Sequence, residues 1–170
     1  MKKALLNKFF GFVVGIVSFT VSSLSFGAAL SISQIRSDRF LDCIELPDNN
    51  FDLTFIHSVS LTPVIDKYIV VSKDGQFSIL QTAEHFFAHG QGLPSLVNEP
   101  DAYSFETKNN KFILKLNREI HDLIVRTDSR FKNRLYTADD VMNLNQWSDI
   151  GLHIVPIKSC KTGMNAVIEK

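Results

Sequence analysis

The chain has 170 residues, of which 45% are hydrophobic and 14 are Phe, and its 18 basic side chains balance its 18 acidic ones. It is too apolar and too aromatic to be disordered, and it lacks the basic excess of a nucleic-acid-binding protein. Its length suits one ordinary domain. Its 2 Cys are too few for a disulfide-dense miniprotein or a multi-zinc scaffold.

The first residues have the organisation of a bacterial secretory signal. Lys2, Lys3 and Lys8 precede an uncharged apolar run over residues 9–24, and small residues follow at 25 and 27–29. This order predicts cleavage after Gly27 or after Ala29. The alternative is an uncleaved anchor in the inner membrane, because the uncharged run over residues 9–35 is long enough to span a bilayer.

We therefore expect a signal segment over residues 1–27 and one periplasmic domain over residues 28–170. Cleavage after Gly27 removes three Lys and no acid, so the exported domain has an excess of acidic side chains. Such a domain has no electrostatic reason to bind nucleic acid. We expect it to meet the membrane only through the N-terminal segment, if that segment stays uncleaved.

The exported part has the residue pattern of an all-β protein. Apolar residues alternate from Phe51 onward, β-branched residues are frequent, and turn signals separate the runs. We predict a single-domain antiparallel β-sandwich or barrel of about seven to nine strands. The strands expected from the pattern lie over residues 51–59, 64–72, 76–87, 102–107, 111–117, 122–127 and 151–158.

Two local signals refine this prediction. Asp74-Gly75 predicts a tight hairpin, after which the alternation over 76–87 places Gln81 and Glu84 on opposite faces of the strand. Thr137 is typical of a helix N-cap, and the residues that follow predict one short helix that ends near Trp147.

Cys43 and Cys160 lie at the two ends of the predicted domain. An even pair of Cys in an exported chain predicts a disulfide. The alternative is two free thiols, one on each of two edge strands.

His57 is the most informative titratable residue, because it lies among apolar residues of a predicted strand. A buried imidazole needs hydrogen-bond partners. Ser58 and Thr62 lie close in sequence, and Asp66 or Glu84 could reach it from the next strands. One interpretation is a structural histidine at a strand end; the other is a ligand-contacting or pH-sensitive residue in a polar pocket.

The segment from Glu84 to His89 offers metal-ligand residue types, since His85 and His89 would share a face if the segment were helical. The surrounding pattern is instead that of a strand and a loop, so we expect neither a metal nor a cofactor. His89, Gly90 and Gly92 belong to a loop that lacks the third Gly of a dinucleotide fingerprint. The chain shows no convincing catalytic set of Ser, His and Asp or of Cys and His.

Two segments carry a resemblance to a known family: FDLTFIHSVSLTPVIDKY and, after it, EHFFAHGQGLP. Together they resemble an exported bacterial domain-of-unknown-function family, numbered eighteen-fifty, over roughly residues 40–160. Its members are often encoded beside tripartite ATP-independent periplasmic (TRAP) transporters that use a TAXI-type solute-binding protein. The resemblance implies an accessory role near such a transporter, and it assigns no catalytic residue.

Two classes of function follow. The first is an exported, non-enzymatic accessory or binding protein whose partner is a transporter component or a small-molecule solute. Its candidate binding residues are His57, Ser58, Thr62, Asp66, Glu84, His89, Gly90 and Gly92. The alternative is a small periplasmic hydrolase or metal-binding protein that uses His57 with the region of Glu84, His85 and His89.

Overall fold

The computed structural model of the protein describes residues 27–88, 94 and 99–161. Eleven β-strands account for most of this part of the chain. In chain order they are β1 (Ala28–Gln34), β2 (Arg39–Leu46), β3 (Asn50–Ile56), β4 (Pro63–Lys73), β5 (Gln76–Phe86), β6 (Ala102–Lys108), β7 (Lys111–Ile120), β8 (Leu123–Arg126), β9 (Arg134–Tyr136), β10 (Val141–Asn143) and β11 (Gly151–Ile157). Two single 3-10 turns, Ser129–Phe131 and Leu144–Gln146, lie between the later strands.

The strands form two antiparallel sheets. The smaller sheet has the order β2-β1-β11-β8 and the larger has the order β10-β9-β3-β4-β5-β7-β6. β4 and β5 are joined by the two-residue turn Asp74-Gly75, at which Lys73 pairs with Gln76. Both turn residues have positive φ angles, 52° and 79°, as a type I′ hairpin requires. The hairpin predicted from Asp-Gly is therefore present.

The main core lies between the two sheets. Every second residue of β4 from Val64 to Val70 is buried, as expected for a strand with one face toward a core. Both sheets contribute to this core. Its largest fully buried side chains are Leu30, Ile32, Leu46, Phe51, Ile79, Leu135, Leu144, Leu152 and Ile154.

A second, smaller apolar cluster lies on the same face of the larger sheet. Its buried members are Val64, Phe86, Leu114 and Leu116. The ring centroids of Phe86 and Phe112 are 5.6 Å apart. A row of polar side chains crosses the sheet between the two clusters, and this row positions the candidate site.

The all-β, antiparallel fold predicted from the sequence is confirmed, with eleven strands rather than seven to nine. The two N-terminal strands, β1 and β2, were not predicted. The reason for β1 is that Ala28–Gln34 continues the uncharged run of the signal segment, so the alternation of Leu30 and Ile32 with Ser31 and Ser33 was assigned to that run.

The predicted short helix after Thr137 is wrong. The Thr137 hydroxyl does accept hydrogen bonds from the backbone N–H groups of Asp139 and Asp140, as an N-cap would. The chain then pairs as β10 against β9, with Val141 opposite Tyr136, and makes only a 3-10 turn at Leu144–Gln146. The Thr137 side chain therefore orders the connection between β9 and β10. The pairing of these two strands takes the place of the predicted helix.

Cys43 on β2 and Cys160 after β11 form a disulfide, with their Cα atoms 5.6 Å apart. This pairing is the one that the sequence predicts, and it fits an exported protein, because disulfides persist mainly in oxidising compartments. The predicted signal segment lies outside the described residues except for Gly27. Within residues 27–88, 94 and 99–161, no helix is long and apolar enough to cross a membrane.

Candidate functional site

Asp66 and Glu84 lie directly opposite each other on β4 and β5. A β-bulge at Thr82 causes this arrangement, because it shifts the register between Gln81 and Ala83. The Thr82 hydroxyl donates to the backbone carbonyl of Lys67 at 3.2 Å. One extra residue reverses the alternation of a strand, so Gln81 and Glu84 share a face. The predicted placement of these two side chains on opposite faces is wrong for this reason.

The two carboxyl groups share a buried environment. Burial raises the pKa of Asp66 well above its usual value, and the charge of Glu84 raises it further. Burial also raises the pKa of Glu84. Two adjacent buried carboxyl groups do not both ionise readily, so the pair keeps a proton to higher pH than two separate, exposed carboxyl groups would. With one proton bound, the pair carries one negative charge.

Tyr68 orders one end of this pair. Its hydroxyl donates to Asp66 Oδ2 at 3.2 Å. Its ring stacks on Phe51, with centroids 4.9 Å apart. Burial and the charge of Asp66 raise the pKa of Tyr68, so the phenol stays protonated and remains a donor.

Arg118 on β7 ends the polar row. Its guanidinium donates to Gln81 Oε1 at 3.4 Å and to Asp101 Oδ2 at 3.2 Å, and it forms an ion pair with Glu99. The Arg118 side chain is 27% exposed, so it connects the buried carboxyl pair to the surface. The row thus combines one guanidinium with four carboxyl groups, those of Asp66, Glu84, Glu99 and Asp101. Acidic groups outnumber basic ones in this row.

A cavity of about 260 Å³ lies beside the buried pair, between β8 of the smaller sheet and β3 and β4 of the larger. Its polar lining includes Asp66, Tyr68 and Asn133, and its apolar lining includes Leu53, Phe55, Leu123 and Val125. Asp66 Oδ1 and Asn133 Oδ1 are buried without a hydrogen-bond donor from the described part of the chain, apart from the proton that Asp66 shares with Glu84. Buried polar atoms are nearly always paired, so these two oxygens make the cavity the candidate site.

Asn133 is held in place by its backbone. Its carbonyl accepts from the backbone N–H of Leu144 at 3.2 Å and from Arg134 Nη1 at 2.8 Å. Lys132, just before it, has a positive φ of 49°. The turn before β9 therefore fixes Asn133 at the cavity.

His57 lies apart from this site, in the loop between β3 and β4. Its Nδ1 accepts from the backbone N–H of Ser60 at 3.2 Å and lies 3.1 Å from the Ser60 hydroxyl. That hydroxyl also bonds to Thr62 Oγ1, and the backbones of His57 and Thr62 are bonded directly. His57 thus orders its own loop. A ligand-contacting role for His57, exposed Ser58 or Thr62 stays a prediction.

The structure places Glu84 and His85 on opposite faces of β5. Asp66 and Glu84 face the interior, whereas His85 is opposite Ile65 on the other face of β5. Burial and the charge of Lys67 lower the pKa of His85, which favours its neutral form. Across residues 27–88, 94 and 99–161, no group of three or more metal-ligating side chains is close enough to hold an ion. His89, Gly90 and Gly92 lie outside the described residues.

A larger groove of about 530 Å³ lies at the opposite end of the β4–β5 hairpin. Its polar lining residues Lys73, Glu119 and His121 are exposed. Exposed groups retain their hydration, so this groove lacks the feature that distinguishes the smaller cavity, namely buried acceptors without protein donors.

Sequence reasoning selected Asp66 and Glu84 but missed Tyr68, Arg118 and Asn133. Tyr68 had a readable signal, since it follows Val64 and Asp66 in the buried phase of β4. Arg118 and Asn133 had none, because their partners are far away in the sequence: 37 residues separate Arg118 from Gln81. Only the folded sheets bring these side chains to one site.

Comparison with known families gives a match within this domain. The family model described as Domain of unknown function (DUF1850) matches residues 51–144, which is more than half of the chain. The chain belongs to this family. Neither a curated protein nor a solved structure matches the chain significantly. The DUF1850 match runs from β3 to the last 3-10 turn, so it includes Asp66, Glu84, Arg118 and Asn133.

Proposed function

We propose that this protein is an exported, non-enzymatic binding protein of the periplasm that acts as an accessory to a TAXI-type TRAP transporter. The observation that carries the binding role is the cavity between the sheets, where Asp66 and Asn133 present buried oxygens that receive no hydrogen bond from side chains or backbone of the described residues. Small-molecule sites are typically concave and largely apolar, with a few fixed polar groups. The cavity has this composition.

Two further observations support the location and the partner. The disulfide between Cys43 and Cys160 fits an oxidising compartment, and the residues before Gly27 have the pattern of an export signal. Membership of the DUF1850 family supports the transporter as partner, because the resemblance to this family implies an accessory role near a TRAP transporter.

The alternative, a hydrolase or metal-binding protein, has weaker support. It needs His57 and Glu84 in one site, yet the His57 ring bonds to Ser60 while Glu84 lies opposite Asp66. It also needs Glu84 and His85 on one face, and they lie on opposite faces. The cavity is better suited to hold a molecule than to activate a nucleophile.

The proposal is tested by affinity purification of the C-terminally tagged, full-length protein from its own host after mild detergent extraction. We expect recovery of a TRAP membrane subunit or a TAXI-type solute-binding protein, identified by mass spectrometry. An unrelated exported domain with the same tag is the control. Recovery of neither component above this control would overturn the transporter role.

A second experiment tests the link between the cavity and transport. Deletion of the gene should slow uptake of the transporter's solute, and wild-type protein should restore it. Asp66→Asn should restore uptake poorly, whereas the exposed Asp139→Asn should restore it fully. Equal restoration by the two variants would mean that the cavity does not serve the transporter.

A further inference from the structure

The cavity beside Asp66 has a chemistry that narrows its ligand. Asp66 Oδ2 accepts from the Tyr68 hydroxyl, and Oδ1 has no donor from the described part of the chain apart from the proton of the Asp66–Glu84 pair. The Asn133 side chain reaches the same cavity from a different element, and its Oδ1 is also buried without a donor from the residues described. Both side chains are at least nine-tenths buried. A ligand that satisfies them must carry hydrogen-bond donors.

The local charge favours a cationic donor. The Asp66–Glu84 pair with one shared proton carries one negative charge. Arg126 lines the cavity from β8, but it is exposed and its charge stays hydrated. The Arg118 guanidinium is already bonded to Glu99 and Asp101. Its positive charge is therefore divided among several carboxyl groups, and the polar row keeps a net negative charge. A cation in the cavity would be stabilised by this charge, and an anion would be repelled.

The size and walls of the cavity limit the rest of the ligand. A volume of about 260 Å³ equals that of about nine water molecules at roughly 30 Å³ each. Leu53, Phe55, Leu123 and Val125 form apolar walls. The space therefore suits a short aliphatic body of about five to eight non-hydrogen atoms, given that volume per small molecule.

We infer that the cavity between β8 and the β3–β4 pair binds a primary ammonium group on a short aliphatic body, with Asp66 and Asn133 accepting its N–H bonds. This inference rests on the proposed function and names the ligand class for the same site. An ammonium group supplies three donors and one positive charge, which matches two unpaired acceptors beside a singly charged carboxyl pair.

The test uses three probes of equal length: n-butylammonium, n-butanol and butyrate. Each is titrated into the ¹⁵N-labelled protein, purified in its exported and oxidised form, while amide chemical shifts are recorded. We expect n-butylammonium to bind and to shift amides of β3, β4 and β8 around Leu53, Asp66 and Val125. We expect n-butanol and butyrate to bind at least about tenfold more weakly, since a hydrogen bond to a charged group is worth about one factor of ten or more.

Variants separate the contributions of the two acceptors. Asp66→Asn should weaken n-butylammonium binding about tenfold or more, and Asn133→Leu should weaken it several-fold, from the loss of a charge-assisted and a neutral acceptor respectively. The matched control Asp139→Asn changes an exposed carboxyl and should bind like the wild type. If Asp66→Asn fails to fold, the Asn133→Leu variant and the three-probe comparison still decide the question.

The outcomes distinguish this inference from the proposed function. Binding of n-butanol or butyrate as tight as that of n-butylammonium would overturn the ammonium class and leave a binding role intact. No response to any of the three probes, in a protein that still co-purifies with a transporter subunit, would overturn the inference and leave the accessory role intact. Tight binding that survives both Asp66→Asn and Asn133→Leu would place the site elsewhere and overturn it too.

Discussion

Asp66 and Glu84 face each other across the β4–β5 pair and both point into the space between the sheets, where burial and the charge of Glu84 raise the pKa of Asp66. They lie between two apolar clusters on the same sheet face, with Val64 and Phe86 on one side and Val70 and Ile79 on the other. A polar pair in this position lowers stability compared with an apolar pair. Packing alone does not account for such a pair, and its position beside the cavity is consistent with the proposed binding role.

The shared proton makes stability depend on pH. The raised pKa values of Asp66 and Glu84 mean that the folded protein binds a proton that the unfolded chain releases above its ordinary carboxyl pKa values, 3.8 and 4.5. The contribution of this pair to the free energy of unfolding is therefore complete below these unfolded pKa values, and it is lost as pH rises through the folded pKa. Thermal unfolding of the wild type and of Asp66→Asn is measured at several pH values from about 4 to 9. We expect the melting temperature of Asp66→Asn to rise relative to the wild type as pH increases.

Asp139→Asn is the matched control for this experiment, because Asp139 is exposed. Its melting curve should follow the wild type at every pH. Parallel curves for Asp66→Asn and the wild type would contradict a shared proton at the pair.

The position of Asp66 was readable in the sequence, but its partner was not. Val64, Asp66, Tyr68 and Val70 alternate in phase, so a strand with one buried face must bury the carboxyl. The alternation of β5 predicted that Glu84 faces away from Gln81. This prediction is wrong because nothing in the local sequence indicates the extra residue at Thr82. Bulges are set by pairing with neighbouring strands on both sides, here β4 and β7. The cavity depended further on β8, which belongs to the other sheet.

Arg118 compensates part of the negative charge of the polar row, so its loss should destabilise the fold. Arg118→Met keeps a long apolar stem but leaves Gln81, Glu99 and Asp101 without its hydrogen bonds. We expect a loss of about 2 kcal/mol in the free energy of unfolding, the usual effect of removing charge-assisted hydrogen bonds at a partly buried site. Urea unfolding measures it. Arg118→Lys should lose less of the free energy of unfolding, because it retains the positive charge. An equal loss in both variants would mean that the hydrogen-bond geometry of the guanidinium matters and its charge does not.

Thr127 joins β8 to the start of β11 and is fully buried. Its hydroxyl donates to the carbonyl of Trp147 and lies 3.1 Å from that of Ile150. Thr127→Val has a similar shape but removes the hydroxyl donor of the Trp147 carbonyl, whereas the Ile150 carbonyl keeps the Thr127 backbone N–H at 3.0 Å. We expect the variant to cost about 1–3 kcal/mol. Exposed Thr107→Val is the control and should be nearly neutral. A neutral Thr127→Val would mean that other groups or water satisfy these carbonyls.

The disulfide closes a loop of 117 residues between β2 and the segment after β11. In the chain-entropy model such a crosslink stabilises the folded state by roughly 4–5 kcal/mol. The double variant Cys43→Ser, Cys160→Ser should therefore unfold at markedly lower urea concentration than the oxidised wild type. Reduced wild-type protein should behave like the double variant. Equal stability of oxidised and reduced protein would show that the crosslink constrains little in the unfolded chain.

The two cleavage sites expected from the sequence differ in what they remove from the folded domain. Ala28 and Ala29 are buried in β1, where Ala29 pairs with Glu45 and Ile157. The Ala28 backbone N–H also donates to Asn49 Oδ1 at 2.8 Å. Cleavage after Ala29 would discard both contacts, whereas cleavage after Gly27 retains them. We therefore predict that the exported protein begins at Ala28, which N-terminal sequencing or intact mass determination checks. A first residue of Leu30 would contradict this prediction, and so would an uncleaved chain.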